Sequence, residues 1–573
     1  MDKPSHPQVG LRKGMIRKFL MCRWLPLAYR EELYEVLRLT GPLLLFNILN
    51  FLLPLVISIF CGHIGTAELA GYALASATIN VSAMVIVQGL TMACDTLVSQ
   101  TYGSKNLKRV GIILQRSSLI LLLFCLPCWA LLINAQQLLL LMRQDQQVAR
   151  IAQIYTTAFI PAVPAMFLHQ LQVAYLQNQG IILPQMYTAA LANLFNLGAN
   201  YVLIISLQLG VVGSAMANSL AQVFVCLLLY AYIRWKKLHG PTWAGWSSDC
   251  LQDWGSFIKL AVPSTFMVCF EWWIWEIGGF LAGILGEVDL AAQHVMVEIS
   301  AITYMFPLGI HTAACVRVGN ALGAGDTARA ILSCKVALVL AALLAVLLGS
   351  VIVGSKSVLG FVFTSDKNIV DMVSKNLTIY TFLQFFDSML CVCSGILVGC
   401  GMQKVAAMSN LVGYYCIGLP IGVALMFAAH LQIFGLWLGL LTCVTLEACF
   451  FLVLVFKLNW KKVTKEAEER AGKRVMETSK NHSMDGQETS RSQDRESEDI
   501  SEKRLSTTQL VLRRGFALSA AVVTLAMGVA VHFVFPVPEI PMSGSVNLTE
   551  IWTNVSTVTP MALSQLVPAD LKI

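Results

Sequence analysis

GLTMACDTLVSQTYG (residues 89–103) and GIHTAACVRVGNALG (residues 309–323) carry one pattern twice: Gly89 recurs as Gly309, Ala93 as Ala313 and Gly103 as Gly323. The correspondence extends outward from this pair. Pro42 recurs as Pro263, Gly62 and Gly65 as Gly283 and Gly286, Leu69 as Leu290, and Gly213 as Gly435. Order and spacing hold across several apolar runs, so a unit of about 220 residues occurs twice. Chance matching of small residues in Gly- and Ala-rich helices does not preserve order over that length.

The medium in which the unit folds follows from composition. Of 573 residues 56% are hydrophobic and only 13% charged, and the mean hydropathy is +0.68. A soluble core with a solvated shell is excluded by these values. A helix needs about 20 apolar residues to cross the hydrocarbon layer, and windows of that size predict thirteen spans, near 39–61, 70–94, 110–134, 152–175, 182–205, 211–233, 257–283, 291–315, 331–354, 376–398, 405–428, 433–456 and 515–536. Each repeat then holds six spans, an even number, so the two copies face the same way about an axis along the membrane normal, with a cleft between them. The expected fold is all-α integral membrane, with two pseudo-symmetric six-helix lobes (a parallel repeat of twelve core transmembrane helices) and a thirteenth C-terminal transmembrane helix. The expected organisation is a cytosolic N-terminal segment (1–37), an N-lobe (38–234), a cytosolic linker (235–256), a C-lobe (257–457), a charged disordered cytosolic loop (458–514), the thirteenth span (515–536) and an extracellular tail (537–573). The loop is assigned because 24 of the 54 residues from Lys461 to Arg514 are charged.

Basic residues orient the chain. Arg12, Lys13, Arg17, Lys18, Arg23 and Arg30, then Lys105, Lys108 and Arg109, then Arg234, Lys236 and Lys237, then Arg317, Arg329 and Lys335, and then Lys404 all fall on one side, the cytosolic side. The thirteen crossings place the C-terminus outside, where the sequons at Asn547 and Asn554 make these the possible glycosylation sites. The net charge of +7 lies between apolar spans, so anionic lipid headgroups, and not nucleic acid, are its expected neighbours. The cysteines fall largely inside apolar runs and are read as free buried thiols. His169, His294 and His311 have no second ligand at metal spacing, so no metal is expected.

Ionisable groups at membrane depth are costly and mark function. The first six spans carry one acid near a span, Asp95, read as structural. The second six carry Glu271, Glu276, Glu298 and Asp387. A rise of 1.5 Å per residue puts Glu276 and Glu298 at a similar depth, about 10 Å below the outer surface, with Glu271 and Asp387 deeper, so two facing carboxylate tiers are expected. Clustered carboxylates in low dielectric repel one another when ionised, so they take up protons or a cation competitively. In the run Glu271-Trp272-Trp273-Ile274-Trp275-Glu276, i,i+4 spacing pairs each acid with a tryptophan, Glu271 with Trp275 and Glu276 with Trp272, and an aromatic face beside a carboxylate attracts bulky cations. Tyr304 extends that wall. Asn80 is the one neutral polar residue of the first half chosen as cleft-lining.

The stretch 89–104, its counterpart 316–325 and Glu271-Trp272-Trp273 resemble the multidrug and toxin extrusion family, animal branch, over about residues 35–460. The thirteenth span resembles that of vertebrate members. The resemblance implies secondary active export of small organic cations, driven by a proton gradient with no cofactor and by alternating access of two six-helix lobes. It implies proton-coupling and cation-binding roles for the acids matching Glu271, Glu276, Glu298 and Asp387, and a monomeric functional unit. It implies the cell membrane, commonly apical in epithelium. Vertebrate relatives usually have Glu where this chain has Asp387, and bacterial relatives often place an acid in the first span, where this chain has Asn47 and Asn50. A flippase of lipid-linked or polar lipid substrates remains an alternative, although it calls for Arg and Lys in the cleft, and sodium coupling is left open by the acids alone. No His-Glu-x-x-His, Gly-x-Ser-x-Gly or phosphate-loop motif is present, so the chain is not read as an enzyme.

Overall fold

The computed structural model describes residues 26–364, 366–472 and 505–534. Within these residues thirteen helices are long and apolar enough to cross a membrane. The first lobe comprises α1 (Leu27–Cys61), α2 (Ala67–Gly103), α3 (Leu107–Ile133), α4 (Gln146–Gln177), α5 (Leu183–Ser206) and α6 (Gly210–Trp235). The second comprises α7 (Trp254–Leu285), α8 (Val288–Ala324), α9 (Thr327–Val362), α10 (Lys367–Cys400), α11 (Gln403–Ala428) and α12 (Gln432–Lys457). A short α13 (Trp460–Ala471) follows, and α14 (Thr508–Val534) is the thirteenth span. Each lobe has its own apolar core, built on Tyr155, Phe167 and Tyr175 in the first and on Tyr380, Trp437 and Phe451 in the second. The described residues up to Val529 form one compact unit, and the end of α14 from Ala530 is assigned to a second.

The repeat is visible as a symmetric crossing. A Cβ added at Gly103 would overlap the Asn320 carbonyl oxygen, and one at Gly323 would overlap the Gln100 carbonyl oxygen. Asn320 and Gln100 are themselves partners in the repeat, as Gly323 and Gly103 are, so α2 and α8 touch backbone to backbone about a two-fold axis. The same relation holds at Gly89, which abuts Thr265 of α7, and Gly309, which faces Leu44 of α1. The offset between copies is 221 residues at Leu69 and Leu290 but 220 at Gly89 and Gly309. Between those positions α2 is π-helical over Asn80–Met84, whereas α8 is an uninterrupted α-helix. A π-bulge accommodates one inserted residue, and that insertion is the slip.

The lobes are tied together at the ends of the spans that carry the basic residues. There Thr96 Oγ1 donates to the Val398 carbonyl at 2.6 Å, Gln100 Nε2 to the Gly399 carbonyl at 2.8 Å and Gln403 Nε2 to Thr96 Oγ1 at 2.5 Å. Arg317 of α8 makes a bidentate pair with Glu32 of α1, Nε to Oε1 at 2.8 Å and Nη2 to Oε2 at 2.6 Å, and the Ser333 hydroxyl also donates to Glu32. At the other end the segment Thr66–Ile79 packs on Gln146–Phe159 within its own lobe.

Two expectations need revision. The first span begins at Leu27, well before 39, because Glu32 is polar by sequence yet buried by its partners in the fold. The segment expected to be a disordered loop over 458–514 opens as a helix: Asn459 caps α13 by accepting from the Lys462 amide, and Val463, Ala467 and Ala471 are buried along one face. Arg470 then bridges both lobes, donating to Gln100 Oε1 at 2.9 Å and to the Cys400 carbonyl at 3.3 Å. Four-residue spacing of three small apolar residues is a weak signal amid so many charges. Asn547, Asn554 and most of that loop lie outside the described residues.

Candidate functional site

Apolar runs set the depth of the acids, and packing decides which of them meet. Glu271 sits near the middle of α7, Asp387 near the middle of α10 and Tyr304 near the middle of α8. All three are half-buried, and the Tyr304 hydroxyl donates to Glu271 Oε1 at 2.7 Å. The charges of Glu271 and Asp387 act on each other, so the fold brings these two predicted residues into one site. Beside them a hydroxyl contact joins Thr303 to Tyr380, and His311 Nδ1 lies 2.8 Å from the Cys391 carbonyl. Asn410 of α11 donates to the Met267 carbonyl of α7 at 3.0 Å, which fixes the two helices that frame the site.

The remaining predicted residues are dispersed. Glu276 is exposed, and Glu298 is half-buried; its charge acts on Tyr72 of the first lobe, whose hydroxyl donates to the Pro54 carbonyl at 3.2 Å. Among the described residues no hydrogen bond or ion pair joins Glu276 to Glu298. Trp272 is 41% exposed, while Trp275 packs into the second-lobe core with its ring 5.6 Å from that of Trp437. The Trp437 indole in turn donates to Gln293 at 2.8 Å. Asn80 is exposed and opens the π-helical turn of α2. Asp95 accepts from Asn178 at 2.7 Å within the first lobe, in keeping with a structural part.

The sequence reading passed over one acid. Glu447 lies in the middle of α12, is 3% exposed, and interacts electrostatically with both Glu271 and Asp387. The rule that singled out the other four, an ionisable side chain inside an apolar run, applies to it equally. Every described cysteine is a free thiol, and among the described residues no His, Cys, Asp and Glu cluster has the geometry to hold a metal ion.

Known proteins match this arrangement along the chain. The MatE family model matches residues 42–202 and again 263–424, once in each lobe. The chain belongs to the multidrug and toxin extrusion family. Multidrug and toxin extrusion protein 1 of Danio rerio is 48% identical over 538 residues, covering 89% of this chain and 91% of that one. Multidrug and toxin extrusion protein 1 of Homo sapiens is 47% identical over 536 residues, covering 88% and 94%. Multidrug and toxin extrusion protein 2 of Mus musculus is 49% identical over 443 residues, covering 77% of each. Among solved structures the eukaryotic MATE transporter AtDTX14 superposes with a TM-score of 0.75 at 27% identity, covering 78% of this chain and all of that one. The Vibrio cholerae MATE transporter VcmN in its bent form shares the fold, with a TM-score of 0.68 at 16% identity, covering 78% and 100%. The family's members are transporters and not enzymes, and its twelve-helix, two-lobe architecture is the one described above.

Proposed function

We propose that the chain is a secondary active exporter that exchanges protons for small organic cations, with Glu271 and Asp387 as the groups for which the two compete. The observation that carries this reading is the placement of the pair: two carboxylates at mid-membrane, each within reach of the other's charge, one of them held by a tyrosine hydroxyl. Two such charges cannot both stand unneutralised in low dielectric, so a proton or a cationic substrate lowers the energy of the site and each displaces the other. Antiport follows once the site is exposed to the two sides alternately. The names of the relatives, multidrug and toxin extrusion proteins, support a broad substrate range. The exposed Trp272 beside Glu271 supplies an aromatic surface suited to bulky cations with little demand on shape.

The basic ends of the spans face the cytosol in this proposal, in the cell membrane, with the lobes joined there by Thr96, Gln100 and Arg317. A flippase for phosphate-bearing lipids calls for cationic side chains where this chain has acids.

The test is uptake of tetraethylammonium into vesicles with an acidic interior. Wild-type uptake should depend on the imposed pH gradient, and Glu271→Gln should abolish it. Uptake that ignores the pH gradient and follows an imposed sodium gradient instead would overturn proton coupling.

A further inference from the structure

Glu447 is the most deeply buried carboxylate of the second lobe's mid-membrane site, and among the described residues no ion pair holds it. Neither of its oxygens has a hydrogen-bond partner of normal geometry, although the Ser409 hydroxyl is near. A buried carboxylate that served only to hold helices together would spend its acceptors on donors; leaving them unmade is costly. The surroundings nevertheless make room for it. Gly413 of α11 lies against the carboxylate, so that a Cβ there would come within 2.8 Å of Glu447 Oε2. Gly413 belongs to the π-helical segment Leu411–Gly418, an irregularity of the kind found at functional positions.

The titratable groups that interact electrostatically with Glu447 are Glu271 from α7, Asp387 from α10, Tyr414 from α11 and Cys443 from its own helix. None of them is basic. The Gly213 and Gly435 correspondence places Val225 at the matching position of the first lobe, so this feature belongs to one copy of the repeat alone.

We propose that Glu447 is a third carboxylate of the proton- and cation-binding site, exchanging a proton in concert with Glu271 and Asp387. The inference rests on the antiport reading above. In an ionised state Glu447 strengthens proton binding at its two neighbours, so that protons outcompete the cation up to a higher pH than a two-acid site would allow. Its mobile partner is the hydrogen ion, and its burial keeps water from substituting for one.

The variant Glu447→Gln preserves the shape of the protonated side chain and removes its charge. In tetraethylammonium uptake with the pH on the cation-entry side varied, the midpoint of proton inhibition should shift to lower pH by about one unit. A Glu447→Gln protein with the wild-type midpoint overturns the proposal, since a permanently protonated, purely structural residue gives that result. Glu447→Asp should restore most of the wild-type profile. Loss of the Glu271→Gln effect in the same vesicles strikes at the antiport reading itself, whereas a normal Glu271→Gln defect beside an unshifted Glu447→Gln midpoint strikes at Glu447 alone. A readout on the wild-type protein covers failure of the variants to fold. Dicyclohexylcarbodiimide, which attacks protonated carboxyls in apolar surroundings, should label Glu447, and tetraethylammonium should slow that labelling. Labelling that is absent, or indifferent to the cation, overturns the proposal.

Discussion

The two lobes descend from one pattern and share a backbone plan, yet their centres differ in charge. In the first lobe the polar groups at and beyond mid-span are neutral: Asn218 donates to the Tyr155 hydroxyl at 2.9 Å, Cys61 and Ser214 lie 3.5 Å apart, and Tyr72 bonds the Pro54 carbonyl. In the second lobe Glu271, Asp387 and Glu447 stand near the middle of their spans. Repeat partners make the contrast local, with Asn50 standing where Glu271 stands and Val225 where Glu447 stands. The two copies share one backbone plan, and the mid-span acids lie in the second copy alone.

The widest gap is expected between Glu271→Gln and Asn50→Ala. The first should lower gradient-driven tetraethylammonium uptake by about 100-fold, on the order of 3 kcal/mol, and the second should stay within about twofold. Equal losses in the two variants would erase the asymmetry. Next is the crossing that relates the lobes. Gly323→Ala forces a methyl against the Gln100 carbonyl, at a cost of about 2 kcal/mol, and should lower the unfolding temperature of the purified protein. Gly198→Ala meets no neighbouring atom and should not, so an equal drop in both would show that the close approach is not tight.

A smaller effect is expected at Tyr304→Phe. Removing the hydroxyl that Glu271 accepts from costs about 1.5 kcal/mol and should weaken tetraethylammonium binding roughly tenfold, measured as its Km with expression matched. Tyr155→Phe closes the series in the first lobe. It leaves the Asn218 amide unpaired, costing about 1 kcal/mol of stability, and should leave the Km unchanged. A Km shift as large as that of Tyr304→Phe would place substrate in the first lobe as well.

Arg470 adds a link between lobes that depends on charge. Burial pulls the Arg470 guanidinium below its ordinary range, opposed by Glu466 beside it, yet an arginine remains charged across physiological pH. Its bonds to Gln100 and the Cys400 carbonyl are accordingly insensitive to pH across the physiological range.

Much of this molecule is legible in the chain alone. Thirteen spans, two lobes and their like orientation follow from run length and repeated landmarks such as Gly103 and Gly323, because apolarity and spacing are local properties that the membrane enforces. The presence of acids at mid-depth follows from the same counting. What only the tertiary structure decided is which acids share a site. Glu271, Asp387 and Glu447 stand on three helices, and whether they meet depends on the rotation of each helix about its own axis, which packing at positions such as Gly413 and Trp437 sets. Glu276 and Glu298, at similar depth on adjacent helices, differ in burial, the first exposed and the second half-buried. The burial of α13 against both lobes is of the same kind: it exists only because the ends of α2 and α10 present Gln100 and the Cys400 carbonyl to Arg470, and no stretch of sequence records that meeting.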